Sequence, residues 1–110
     1  MKKIERIDEE IKTYEGESVI VRDKDGKEIN LTAKKVLLNL LGTAKGKDGE
    51  ECIKILNMGI DLNKADKEWE FYEEDEVILK KIINENLPQY FSHIIGIVYK
   101  KIKEAKAFKK

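Results

Sequence analysis

Cysteine, histidine and proline are each present once in 110 residues. A single cysteine excludes an internal disulfide framework, and a single histidine excludes a histidine-rich metal site. No apolar run approaches the roughly 18 residues of a membrane span. The opening stretch turns acidic where a secretory leader would become apolar, so a cytoplasmic protein is expected. An excess of charge of one sign is also missing. Lys plus Arg number 22 and Asp plus Glu number 22, which argues against bulk nucleic-acid binding. What is abundant is charge of both signs, 40% of the chain against a usual quarter. The 41% of apolar residues suffices for one small core, so residues 1–110 read as a single domain. A domain of this size buries only about two-thirds of its unfolded surface, and a partner subunit would help.

Hydrophobic spacing divides the chain into short elements without a linker. Residues 1–17 are helix or strand; Ile4, Ile7 and Ile11 share a helical spacing, which favours a short helix ended by Gly16. Residues 18–22 and 27–31 read as a β-hairpin across Asp23, Lys24, Asp25 and Gly26, a turn with a left-handed glycine position. Thr32 suits a helix N-cap, Val36, Leu37, Leu40 and Leu41 form one stripe, and Gly42 fits the stop. In the next helix, from about residue 50 to 62, Cys52, Ile53, Leu56 and Ile60 make the main stripe. Ile55 and Leu62 fall outside it, which suggests a helix with neighbours on two sides.

Residues 66–76 hold seven acids and one lysine, with Trp69 and Phe71 alternating as in a short strand around 69–72. The acids at 73–76 then load the first turn of a helix carrying Ile78, Leu79, Ile82, Ile83 and Leu87. Pro88 fits the first position of a last helix with Phe91, Ile94, Ile95, Val98 and Ile102, its lysine-rich end suiting a helix C-terminus. The expected fold is α+β, a small antiparallel hairpin or sheet against a layer of about four helices. Ile55, Leu62 and Ile97, outside single stripes, point to a homo-oligomer.

No motif reaches the standard of an active site, and neither a catalytic set nor a cofactor or metal is expected. The 23–28 stretch lacks the oxygen spacing of a calcium loop and reads as a hairpin turn. The 42–48 stretch fails the phosphate-loop spacing and follows a helix rather than a strand. A weaker anion site remains, built from Lys45, Gly46 and Lys47 at the start of a helix, with Lys34 and Lys35 in the same basic cluster; a solvated loop is the plainer reading. Glu70, Glu73, Glu74 and Asp75 form an acidic surface that could meet a basic partner, or simply protect an edge strand and load a helix start. Tyr90 and His93 can share a helix face, though a lone helical histidine is usually structural. Cys52 reads as a small buried hydrophobe. The sequon at Asn30 has no secretory context to act in.

Residues 25–32, 36–41, 68–75 and 83–88 together resemble small proteins of bacteriophages and prophages, over roughly residues 20–90. The resemblance implies a phage-type, cytoplasmic, non-enzymatic setting and brings no functional residues with it. The expected function is a non-catalytic binding protein acting on a host protein or host defence signal as a small homo-oligomer. The alternatives are a virion structural or assembly accessory and a small nucleotide- or anion-binding module.

Overall fold

Ile4, Ile7 and Ile11 are all buried, but by a chain that folds back rather than by a helix. In a computed structural model, which describes residues 1–87 and 90–108, Lys2–Ile4 forms strand β1. Arg6 then takes a left-handed φ of 57° and turns the chain. The Ile7 N–H donates to the Lys67 carbonyl (2.8 Å). The carbonyls of Ile7 and Glu9 accept from the Lys34 and Ala33 N–H groups, the first free donors of the following helix. Spacing by three and then four residues therefore arises from a strand, a turn and an extended segment, and the short-helix reading of this region is overturned.

The hairpin forms as strands β2 (Ile20–Arg22) and β3 (Glu28–Asn30), paired antiparallel with Val21 opposite Ile29. Gly26 adopts φ 78°, and Asp23 Oδ1 accepts from the N–H groups of Asp25 and Lys27, so the side chain builds the turn. Helix α1 (Ala33–Thr43) follows, its N-cap Thr32 accepting from the Lys35 N–H. It runs past Gly42 and buries Ala33, Val36, Leu37, Leu40 and Leu41. Helix α2 (Gly49–Lys64) packs beside α1 and is capped by Asp48.

Strand β4 (Trp69–Phe71) buries Trp69 and Phe71 and exposes Glu70. A 3-10 turn, Glu73–Asp75, leads into helix α3 (Glu76–Glu85), and helix α4 (Ser92–Lys103) returns across α1. The chain then leaves the helix as strand β5 (Lys106–Ala107), so the lysine-rich end is not one helix terminus. Pro88 lies outside the described residues, as do Lys109 and Lys110. Strand β1 is the centre of an antiparallel sheet ordered β4-β1-β5. Among the described residues, four α-helices and two small antiparallel sheets make the fold α+β. Its core lies around α1, which touches the other three helices.

Helix α2 buries the face opposite to its Cys52, Ile53, Leu56 and Ile60 stripe. Ile55, Met58 and Leu62 are buried, with Glu51 beside them, while Ile53, Leu56 and Ile60 are 54%, 60% and 45% exposed and Cys52 is exposed as well. Both sets have the same helical spacing, and the polar Glu51 conceals the inner one. Burial of Glu51 is made tolerable by Lys81, whose Nζ donates to Oε1 at 2.8 Å, and by the Lys47 N–H. Two apolar expectations further along also fail: Leu87 and Phe91 are exposed.

Candidate functional site

The basic cluster does not assemble. Lys34 and Lys35 stand at the start of α1, and Lys45 and Lys47 beyond its end; an 11-residue helix separates them by about 16 Å. The Lys34 Nζ donates to the Asn63 and Ala65 carbonyls (3.1 and 2.6 Å), neutralising the C-terminal end of α2. At the opposite end of α2 the place of an anion is filled from within. Asp48 Oδ1 accepts from the Glu51 N–H (2.9 Å), and the Glu51 carboxylate accepts from the Lys47 N–H. Gly46 does permit a close approach, but to the chain's own helix. A Cβ there would meet Cys52 Sγ at 2.7 Å and Cys52 N at 2.9 Å.

His93 and Tyr90 also separate. The His93 ring stacks near Phe91, with Tyr14 on its other contact (centroids 6.2 and 5.6 Å), whereas the Tyr90 hydroxyl accepts from Asn39. Among the described residues no group of three His, Cys, Asp or Glu side chains is placed to hold a metal, and no helix is long and apolar enough to cross a membrane.

The acidic residues come together with others that sequence spacing does not connect. A cleft of about 480 Å³ lies between α2 and the β4 segment. Alternation along β4 turns Trp69 and Phe71 inward, and their rings meet at 5.3 Å. The 3-10 turn carries Glu73 and Glu74 outward and Asp75 inward. From α2 come Lys54, Met58, Asp61 and Lys64. The lining holds five carboxylates, Asp61, Glu68, Glu70, Glu74 and Asp75, against two lysines, Lys54 and Lys64. Glu68 pairs with Lys3 at 3.2 Å.

Two lining residues have buried polar atoms with no hydrogen-bond partner among the described residues, Trp69 Nε1 and Asp75 Oδ1. Trp69 is 2% exposed and Asp75 5%. Burial pushes the Asp75 carboxyl above the usual aspartate range, and the Lys54 ammonium, 4.0 Å from Oδ1, opposes the shift. A buried indole N–H without an acceptor costs stability, as does a buried carboxylate whose ion pair lacks a hydrogen bond. Lys54 and Trp69 were not legible as site residues. The one available signal was an indole, which needs a partner for its N–H, within an acidic run.

Chemically, this arrangement suits recognition of a cation with an apolar stem. Tyr72, 60% exposed, offers apolar surface above the buried Met58 and Trp69, and the carboxylates supply the counter-charge. Comparison with protein-family models, with curated proteins and with solved structures gives no match.

Proposed function

We propose that this protein is a non-catalytic binding protein, working as a small homo-oligomer, that recognises a cationic segment of another protein through the cleft between α2 and β4. The observation that carries this reading is the cleft's lining, in which five carboxylates outnumber two lysines around the buried Trp69 and Asp75. A lysine or arginine side chain lays its methylenes along Tyr72 and brings its charged head to the exposed Glu74 and Asp61, close to the buried Asp75. In the phage-type setting that the resemblance implies, the bound protein belongs to the host.

Calorimetric titration with a short arginine- and lysine-rich peptide tests this. The wild type binds, and affinity falls with added salt, because exposed charges are screened beyond about 8–10 Å. Reversing Glu74 and Asp61 to Lys weakens binding at least tenfold while the fold persists, since both side chains are exposed. Equal binding of an acidic peptide, or normal binding by the reversed variant, would overturn the reading.

A further inference from the structure

Helix α2 is apolar on two opposite faces, and the fold covers one of them. The outer face carries Ile53, Leu56 and Ile60 at spacings of three and four, flanked along the same side by Gly49 and Asn63. No charged residue lies on that stripe. Charge begins on one flank, where Glu50, Asn57 and Lys64 follow at intervals of seven residues, two turns apart. This flank has an acid near the helix start, an amide at its middle and a base near its end. Such a pattern is complementary to itself when reversed.

We infer that the outer face of α2 is the seat of a second copy of this chain, paired antiparallel about a two-fold axis near residues 56 and 57. The inference rests on the homo-oligomer part of the proposed function and names its surface. In this arrangement Ile53 faces Ile60 of the second copy, and Ile60 faces its Ile53. Glu50 lies beside Lys64 of the second copy, and the pair recurs across the axis. A parallel pairing would instead set this flank against the opposite flank of the second copy, that of Cys52 and Gly59, and would bring no opposite charges together.

The area supports a second copy and also bounds its affinity. A 16-residue helix presents a face about 24 Å long. Beyond the charged flank a groove opens that is lined by Glu50, Lys54, Val77 and Ile78, with Val77 72% exposed, so an adjoining helix would cover it too. Together these approach the small end of specific interfaces, below the standard size of about 800 Å² per partner. The dimer is therefore expected to dissociate in the micromolar range.

Sedimentation and light scattering across a concentration series test the inference. The mass should rise from 12.8 kDa toward twice that value as concentration increases. Leu56→Glu should raise the dissociation constant by about 100-fold, as for the centre of an interface, and melt like the wild type. Glu50→Lys or Lys64→Glu alone should weaken the dimer roughly fivefold, and the double exchange should restore it. In a Cys52→Ser background, oxidation of an equal mixture of Ile53→Cys and Ile60→Cys proteins should give the mixed disulfide, and Ile53→Cys alone none. A monomer at every concentration overturns both the oligomer and this pairing. A dimer indifferent to Leu56→Glu, or an Ile53→Cys protein that crosslinks to itself, overturns this pairing alone. Peptide binding in the cleft is measured separately on the Leu56→Glu protein, whose substitution lies outside the cleft lining, so failure of the pairing and failure of the cleft are distinguishable.

Discussion

Single residues divide here into those the fold needs and those that oppose it. Asp75 opposes it. Its carboxyl is held above the usual range by burial, so its charged form is the unfavourable one. A raised folded pKa contributes stability below the unfolded value that is lost as the pH rises through the folded value. Asp75→Asn should therefore melt a few degrees higher than the wild type at neutral pH and equal to it in acid, below the ordinary aspartate range; thermal melts at both pH values check this. The same substitution should weaken binding of a basic peptide, a separation of stability from function that a purely structural aspartate would not give. Gly46 and Gly26 are residues the fold needs, for different reasons. Gly46→Ala drives a methyl against Cys52 and its backbone N–H, and should cost about 1–2 kcal/mol in chemical denaturation. Gly26→Val places a β-branched residue at φ 78° and should cost a similar 1–2 kcal/mol, with nothing near it to clash.

At the scale of the element, α2 is the most informative segment. Leu56 and Leu62 are the same residue type on one helix, 60% and 0% exposed. Leu62→Ala should cost about 2–5 kcal/mol through the cavity it leaves, while Leu56→Ala should change the monomer's stability by no more than about 0.5 kcal/mol. Equal costs would show that the two faces are assigned wrongly. The difference is invisible in hydrophobic spacing, because Ile53, Leu56 and Ile60 have the same periodicity as Ile55, Met58 and Leu62. Choosing between them requires knowing that a buried Glu51 would find Lys81, which comes from a helix 30 residues away. The hairpin was legible, since Asp23 and Gly26 specify its turn locally. So was α1, with one apolar stripe and a Thr32 cap. Residues 1–14 were not, because their irregular path is set by carbonyls that cap α1 and by pairing of β1 with β4 and β5, all of them distant partners.

For the molecule as a whole, three lysine–glutamate contacts tie the termini and helices together. Lys101 holds Glu9 (2.6 Å), Lys2 holds Glu76 (2.9 Å) and Lys81 holds Glu51 (2.8 Å). In each case the lysine hydrogen bond lowers the carboxyl pKa. Depressed pKa values contribute stability above the unfolded value that is lost as the pH falls through the folded one. Stability should therefore decline as the pH drops below the ordinary glutamate value of 4.5, with Asp75 opposing the decline, and Lys101→Met should lessen it; denaturation midpoints across that range check both. The acidic run was legible as a surface, but its cleft was not, because Lys54, Met58 and Asp61 reach it from a different helix. Trp69 is the chain's one tryptophan and lines that cleft, so it reports on occupancy without a label. The most direct test of the binding account is its emission, titrated with an arginine- and lysine-rich peptide. The account predicts a saturable change that shrinks with salt and is lost when Glu74 and Asp61 are reversed to Lys. A peptide that binds by calorimetry yet leaves the Trp69 emission unchanged, or one that does not bind at all, would contradict it.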